Sequence, residues 1–218
     1  MSDRLPQTTQ FVTNCGWDPD TMVMVAGDAS PRKYYRVRKG THSAIIMDAD
    51  PAQGQDTSAF VHIARHLSRA GLSAPEIFHE EPVQGFLLVE DFGDGIVADL
   101  INEAALDEDQ IYRRAMDVLV QLHSVEIPQL EPMFPNVMAD MVMVCLDWYR
   151  LGAVGDTAEA LKTVLTDTLS QKFAILQAMP QVLALRDYHA ENLIWLPDRI
   201  GVRQLGLLDF QDLSLIHI

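Results

Sequence analysis

Two stretches of the sequence decide the fold: Leu185-Arg186-Asp187-Tyr188-His189-Ala190-Glu191-Asn192 and Leu207-Leu208-Asp209-Phe210. Asp187 follows an apolar, strand-like run, and Asn192 opens the next such run. A turn-rich segment over residues 197–201 predicts a hairpin that returns the chain to Asp209, at the end of a third apolar run. The pattern predicts two carboxylates and one carboxamide around one small pocket.

This set of side chains suits phosphoryl transfer. One aspartate can accept or orient the attacking hydroxyl, while an asparagine and a second aspartate hold Mg²⁺ on the phosphates of a nucleotide. Taken singly, Asp187, Asn192 and Asp209 could each be a turn or cap residue, because Asp and Asn favour turns. Their joint placement at the ends of predicted strands favours the catalytic interpretation.

The rest of the chain predicts a sheet followed by a helical block. Short β-prone runs predict antiparallel strands over residues 22–26, 34–37, 43–47, 76–79 and 86–90. Apolar residues at helical spacing predict a short helix over 5–15 and longer ones over 56–70, 109–123, 136–150 and 157–179. The helix over 136–150 is so apolar that burial on most of its sides is expected. This order of elements belongs to the α+β class, with a break between two lobes at residues 91–95.

Composition excludes several classes of partner. The chain has 16 Lys and Arg against 31 Asp and Glu, and its formal net charge is −15. Nucleic acids and anionic membranes both require a basic surface, so neither is expected as a partner. With two cysteines, no secretory signal pattern and no apolar run of about 18 residues, the sequence predicts a reduced, cytoplasmic protein.

The two opening stretches carry a resemblance to known enzymes. Arg186-Asp187 with Asn192, followed by Asp209-Phe210, resembles the catalytic loop and metal-binding segment of the protein-kinase-like superfamily. The form Asp187-x-His189-x-x-Asn192 is similar to the aminoglycoside phosphotransferase branch, which phosphorylates small molecules. The resemblance implies a two-lobed protein-kinase-like fold. Its N-lobe (1–91) would bind the nucleotide with an antiparallel sheet and a helix, and its C-lobe (92–218) would be mainly helical.

Further stretches resemble one subfamily, the cell-wall-recycling sugar kinases that phosphorylate N-acetylmuramate and N-acetylglucosamine at the anomeric hydroxyl. These stretches are Gly27-Asp28-Ala29-Ser30, Tyr34-Tyr35-Arg36-Val37, Ile46-Met47-Asp48-Ala49, Leu88-Val89-Glu90-Asp91-Phe92-Gly93-Asp94 and residues 186–193. The resemblance spans residues ~20–213. It implies a small-molecule sugar substrate, with ATP and Mg²⁺ as cofactors, and it leaves the oligomeric state open.

The resemblance also implies a role for individual residues. Asp187 would be the catalytic base, and Asn192 and Asp209 would be the Mg²⁺ ligands. The loop over the ATP phosphates would be formed by Gly27, Asp28, Ala29 and Ser30. The hinge, where backbone groups meet the adenine, would be formed by Glu90, Asp91 and Phe92.

Three departures from the family pattern are visible. The predicted phosphate loop has one glycine, Gly27, so an ordinary hairpin turn remains an alternative there. The predicted third strand, residues 43–47, has no lysine to hold the phosphates, and Arg32, Lys33 or Arg36 would have to supply that charge. Related kinases continue with several helices after the Asp-Phe segment, so we expect a truncated C-lobe whose last residues are not native.

Two other functions remain open at this stage. One is a kinase for a different small molecule, such as an aminoglycoside or choline, since an acidic protein also suits a polycationic substrate. The other is a non-catalytic nucleotide-binding module, which the missing lysine and the missing helices would favour.

Overall fold

The computed structural model describes residues 4–25, 31–128, 130, 133–210 and the backbone of 214–217. The chain forms two compact units. The first comprises Met1–Val125 and Asp187–Asp212, and the second comprises Glu126–Arg186 and Leu213–Ile218. Contacts within the chain define these units, while the functional division into an N-lobe (1–91) and a C-lobe (92–218) stays a prediction.

The first unit contains a five-stranded antiparallel sheet in the order β1-β2-β3-β5-β4. This confirms the predicted antiparallel strands and the α+β class. A short helix precedes the sheet, and its Pro6 stands at one of the first helical positions, where a missing N–H costs nothing. The elements are α1 (Leu5–Asn14), β1 (Asp18–Met24), β2 (Lys33–Lys39), β3 (His42–Asp48), β4 (Ile77–Glu81) and β5 (Phe86–Glu90).

Helix α2 (Ser58–Arg69) joins β3 to β4 and carries the predicted apolar stripe. Phe60, Ile63 and Leu67 of this stripe are all buried. Gly71 follows the helix with a φ of 78°, the left-handed conformation that commonly ends helices. The ring of Phe60 lies 4.9 Å, centroid to centroid, from the ring of Phe210. Helix α2 therefore packs directly against the residue that follows Asp209.

Arg4 ties the start of α1 to the sheet. Its guanidinium lies 2.8 Å from Oδ1 of Asp48 and 3.2 Å from Oδ1 of Asp50, and its Cζ lies 4.5 Å from the centre of the Phe86 ring. The Asp48 side chain is only 4% exposed. Burial raises the pKa of Asp48 above its ordinary value, although the charge of Arg4 opposes the rise. Removing Arg4 would leave this carboxylate buried without its cation.

We predict that Arg4→Met lowers the free energy of unfolding by about 3 kcal/mol, because breaking a buried ion pair leaves an uncompensated charge. Urea unfolding measures the change. Arg38→Met, on the exposed part of β2, is the matched control and should change the free energy by less than about 0.5 kcal/mol. Equal stability of the two variants would contradict the prediction.

The remainder of the first unit consists of helices and a short hairpin. The elements are α3 (Val97–Asn102), α4 (Glu108–His123), β7 (Leu193–Trp195) and β8 (Leu205–Leu207). The side chain of Asp107 caps α4 by accepting a hydrogen bond from the Gln110 N–H at 3.2 Å. Strands β7 and β8 pair antiparallel, as predicted, and the 3₁₀ turn Gly201–Gln204 shortens β8 relative to the predicted strand.

The second unit is a helical hairpin with a two-stranded sheet. Helix α5 (Pro135–Val144) continues through a π-helical segment (Cys145–Arg150) into α6 (Leu151–Val154), and α7 (Glu159–Phe173) packs against α5. Strands β6 (Gln181–Ala184) and β9 (Ser214–His217) pair antiparallel. No helix in the described parts of the chain is long and apolar enough to cross a membrane.

The expected burial of residues 136–150 on most sides is wrong within this unit. Ala139, Met143 and Leu146 are buried there, whereas Trp148 and Tyr149 are 77% and 80% exposed. A helix packed against one neighbour buries one stripe of its surface, whatever its overall hydrophobicity. Composition alone therefore overstated the burial of this segment.

Candidate active site

One cavity of about 460 Å³ in the first unit brings five of the predicted site residues together. Its apolar wall comes from the sheet and from the β7–β8 hairpin, and includes Ile45, Met47, Val89, Ile194 and Leu208. Its polar groups come from β2, from the end of β5 and the segment after it, and from the residues that precede β7 and follow β8. The volume and the mixture of apolar wall and few polar groups are typical of a small-molecule site.

The predicted hinge residues line this cavity. Glu90, Asp91 and Phe92 all contribute to its wall at the end of β5. The Glu90 N–H donates to the Glu76 carbonyl at 2.8 Å, and its carboxylate accepts from the Glu76 N–H at 3.3 Å. These bonds hold the chain in the strand conformation up to Glu90, where it leaves the sheet. Extended backbone at a cavity edge can offer hydrogen bonds to a flat ring.

Arg36 on β2 ties the hinge to the sheet. Its Nε lies 2.7 Å from Oδ2 of Asp91, and its terminal nitrogens contact Oδ1 of Asp91 at 2.9 Å and Oδ1 of Asp94 at 2.8 Å. The hydrogen bonds to Asp94 and Asp91 raise the pKa of Arg36 above its ordinary value. Two carboxylates therefore balance the charge of the one basic residue that lines the described cavity wall.

Asp91 is ionised at lower pH than an ordinary aspartate. Burial, the largest influence, would raise its pKa, but hydrogen bonds from Arg36 and from the Gly93 N–H, with a further one from Ser43, outweigh burial and lower it. The Gly93 N–H donates to Oδ1 at 2.9 Å. The Asp91 carboxylate is thus charged at neutral pH and serves to shape the hinge.

Asn192 links the predicted catalytic loop, residues 187–192, to the residue that follows β8. The side-chain Nδ2 of Asn192 donates to the Asp187 carbonyl at 3.0 Å and lies 3.2 Å from Nε2 of His189. The backbone carbonyl of Asn192 accepts from the Leu208 N–H at 3.0 Å. Both side-chain contacts use the nitrogen of the carboxamide. The carboxamide oxygen is therefore the atom that suits a cation.

Asp209 lines the same cavity as Asn192 and comes two residues after β8. Its φ is 51°, a left-handed conformation that costs a non-glycine residue energy and that clusters at functional sites. The next residue, Phe210, is 1% exposed and packs on Phe60, which fixes the backbone at this point. Packing on α2 therefore holds the Asp209 carboxylate at the cavity.

Asp187 does not line the cavity, and its side chain is exposed. The residue is connected to the cavity through its carbonyl, which accepts from Asn192. The neighbouring Tyr188 anchors the loop, because its hydroxyl donates to the Ala115 carbonyl of α4 at 2.9 Å. Burial raises the pKa of Tyr188 above its ordinary value, so it remains a neutral donor. No local pattern in the sequence indicated this anchor.

We predict that Tyr188→Phe loosens the loop formed by residues 187–192. Loss of one hydrogen bond to a buried group should lower the free energy of local opening by about 1 kcal/mol, so amides of residues 187–192 should exchange about fivefold faster. Hydrogen–deuterium exchange with mass spectrometry measures this change. Tyr112→Phe, at an exposed position on α4, should leave the loop unchanged. Identical exchange in both variants would show that Tyr188 is not an anchor.

A magnesium ion bound with a nucleotide fits the residues at the polar end of the cavity. Asn192 and Asp209 offer oxygen donors, which Mg²⁺ prefers, and Mg²⁺ usually takes one or two protein ligands and completes its shell with phosphates and water. Within the described residues, no group of three His, Cys, Asp or Glu side chains could hold a metal by itself. The donor set thus suits a metal that arrives with phosphates.

Among the described residues, the structure therefore assembles five of the predicted site residues and leaves Asp187 outside the cavity wall. Glu90, Asp91, Phe92, Asn192 and Asp209 line one cavity, and Asp187 lies outside that lining. The predicted phosphate loop, Gly27 to Ser30, falls outside the described residues and stays a prediction.

The third strand, which lacks the expected lysine, presents apolar side chains to the cavity. Ile45 and Met47 of β3 line the cavity, so its wall is apolar at this strand. Of the alternative cations, Arg36 is paired with Asp91 and Asp94, while Nε of Arg32 donates to Gln55 at 3.1 Å.

The close packing of the hairpin on Phe92 was also not predicted. The glycine inside the apolar run Leu205-Gly206-Leu207 is a signal for such an approach.

Comparison with known proteins agrees with the geometry. Residues 21–218 match the sequence profile of the phosphotransferase enzyme family. The chain belongs to this family. The predicted small-molecule phosphotransferase is therefore confirmed at the level of the family, and so is the stated resemblance.

Two relatives carry the name N-acetylmuramate/N-acetylglucosamine kinase. The protein from Caulobacter vibrioides is 31% identical in an alignment that covers 99% of this chain and 69% of the relative. The protein from Pseudomonas aeruginosa is 31% identical in an alignment that covers 97% of this chain and 65% of the relative. This phosphotransferase chain thus spans about two thirds of the length of these relatives.

Solved structures show the same fold. The chain is similar to the aminoglycoside phosphotransferase APH(2'')-IIa, solved with streptomycin and ATP, with a TM-score of 0.63 and 14% identity over 100% of this chain and 73% of that one. It is equally similar to choline kinase LicA from Streptococcus pneumoniae, with a TM-score of 0.63 and 14% identity over 99% and 71%. These likenesses confirm the kinase-like α+β fold.

Proposed function

We propose that this phosphotransferase transfers the γ-phosphoryl group of ATP to the anomeric hydroxyl of an N-acetylated amino sugar, N-acetylmuramate or N-acetylglucosamine, in cell-wall recycling in the cytoplasm. The observation that carries the proposal is the single cavity that joins the hinge residues Glu90–Phe92 to the oxygen donors of Asn192 and Asp209. A nucleotide needs both an apolar slot for its base and a cation site for its phosphates.

The apolar part of the cavity supports binding of the adenine ring. Ile45, Met47 and Val89 offer flat contact area, and the extended backbone of the hinge offers hydrogen-bonding groups beside it. The polar part has Glu191 and Asp209 close to Asn192, and it offers the phosphates little positive charge of its own. Asn192 and Asp209 would hold Mg²⁺, which when bound neutralises charge that develops on the phosphates.

Asp187 is proposed as the residue that activates the acceptor. The sugar hydroxyl oxygen would form a bond to the γ-phosphorus as the bond from that phosphorus to the β–γ bridging oxygen breaks, and the hydroxyl proton would pass to the Asp187 carboxylate. The exposed position of this side chain leaves it accessible to an acceptor. Tyr188 and Asn192 anchor the loop that begins at Asp187, through hydrogen bonds to the Ala115 carbonyl and to the Asp187 carbonyl.

The choice of amino sugar rests on sequence similarity. Relatives 31% identical over nearly the whole chain carry that kinase name, whereas the aminoglycoside and choline kinases of similar fold are about 14% identical. The quoted stretches around residues 27–30, 34–37, 46–49, 88–94 and 186–193 supply the same resemblance.

A substrate panel tests the proposed reaction. The chain is assayed with ATP and Mg²⁺ against N-acetylmuramate, N-acetylglucosamine, choline and kanamycin, and ³¹P NMR identifies the phosphorylated position. We expect turnover of the amino sugars, with phosphate on the anomeric oxygen. Turnover of choline or kanamycin alone, phosphate on another sugar hydroxyl, or ATP binding without transfer would each overturn the proposal.

Two substitutions separate the proposed roles. Asp187→Asn should reduce kcat about 100- to 10,000-fold and leave the Kd for ATP within about twofold, because the base acts in the chemical step. Asp209→Asn should weaken ATP binding in the presence of Mg²⁺ and have little effect without it. Asp198→Asn, at an exposed turn of the same hairpin, is the control. Normal turnover in either site variant would contradict the assignment.

A further inference from the structure

We infer that Arg199, in the turn of the β7–β8 hairpin, is a positioning residue that clamps the hinge onto the hairpin carrying the cation donors. The part of this inference that concerns ATP rests on the proposed function. Arg199 does not line the cavity, so it would act through the hinge residues that do.

The guanidinium of Arg199 makes three contacts that converge on the hinge. One terminal nitrogen donates to Oγ of Ser73 at 2.7 Å, the other donates to Oε1 of Glu90, and Cζ lies 5.1 Å from the centre of the Phe92 ring. The Arg199 and Glu90 side chains are 23% and 26% exposed, and Ser73 is buried. Partial removal from water strengthens both the ion pair and the cation–π contact.

Ser73 connects Arg199 to the other strand of the hairpin, β8. Its hydroxyl accepts from Arg199 and donates to the Arg203 carbonyl at 2.8 Å, and its own carbonyl accepts from the Leu207 N–H at 2.8 Å. Arg199 is therefore bonded to a residue that is itself fixed to β8. An arginine can bridge two acceptors and stack on a ring at once, which a lysine cannot.

Phe92 and the residues that follow the hinge, up to Ile96, also pack closely along the hairpin. The Trp195 N–H donates to the Gly95 carbonyl at 2.7 Å, and Ile96 forms an antiparallel bridge with Ile194. A Cβ on Gly206 would lie 2.6 Å from Cδ2 of Phe92, so only glycine leaves room for this ring. Phe92 is thus enclosed between the backbone of β8 and the guanidinium of Arg199.

The same hairpin carries the proposed cation donors at its other end. Asn192 directly precedes β7, Asp209 comes two residues after β8, and the Leu208 N–H closes this end by donating to the Asn192 carbonyl. The strands are three residues long, so the hairpin is only about 10 Å from end to end. A shift of the hinge against the hairpin would therefore move the base site relative to the cation donors.

Hydrogen–deuterium exchange tests the clamp without nucleotide. We expect Arg199→Gln to raise the exchange rate of amides in residues 91–96 about tenfold, and Arg199→Lys to give an intermediate rise. Arg203→Gln removes a guanidinium from the same hairpin and is the matched control, because its exposed side chain is not part of the clamp. If the amide exchange rates of residues 91–96 are the same in Arg199→Gln and Arg203→Gln, the inference is overturned.

Nucleotide binding tests the consequence. We expect Arg199→Gln to raise the Kd and KM for ATP about tenfold while kcat stays within twofold, since the reacting groups are untouched. If Arg199 acts through Glu90, the double variant Arg199→Gln/Glu90→Gln should bind ATP no more than about twofold more weakly than Arg199→Gln alone. Fully additive losses, or an unchanged Kd in Arg199→Gln, would overturn the positioning role.

The two proposals fail in different ways. If the unaltered chain binds no ATP, the proposed function is wrong, and the exchange experiment still decides whether Arg199 clamps the hinge. If the unaltered chain phosphorylates amino sugars and Arg199→Gln behaves like Arg203→Gln in both experiments, the function stands and the clamp is refuted.

Discussion

The close contact between Phe92 and the backbone of Gly206 determines how the cavity is built. A side chain at residue 206 would overlap the ring, so the hinge can lie against β8 only because that position is glycine. Once the hinge lies there, the Gly95 carbonyl meets the Trp195 N–H, and Arg199 covers the ring from the other side. The apolar wall and the oxygen donors then line one cavity within the first unit. Packing of Phe92 on β8 and the contacts of Arg199 together join the hinge to the hairpin that carries the oxygen donors.

Charge imposes a second requirement on this site. The chain has a net charge of −15, and the described cavity wall contains Glu90, Asp91, Asp94, Glu191 and Asp209 against one basic residue, Arg36. Since Arg36 is paired with Asp91 and Asp94, the wall opposes a polyphosphate unless cations bind with it. Phosphotransferases generally meet this need with magnesium, and the oxygen donors of Asn192 and Asp209 suit that ion. The acidic character of the chain and its proposed chemistry are therefore compatible.

The sequence predicted those features that depend on local pattern. Alternation and helical spacing located the five strands of the sheet and α2, and strand-end positions located Asn192 and Asp209 at one pocket. Features that depend on distant contacts were missed. Arg199 and Glu90 are 109 residues apart, and no local pattern connects them. Likewise, the hydrophobicity of residues 136–150 could not say how many neighbours would cover them, and Trp148 and Tyr149 are exposed.

A crystal structure of the chain with a non-hydrolysable ATP analogue and Mg²⁺ is the most direct test of the site. We predict that the adenine lies against Ile45, Met47 and Val89 with its edge at the backbone of Glu90–Phe92, and that the metal contacts both Asn192 and Asp209. A nucleotide bound outside this cavity, or a metal that contacts neither residue, would contradict the assignment of the cavity as the nucleotide site.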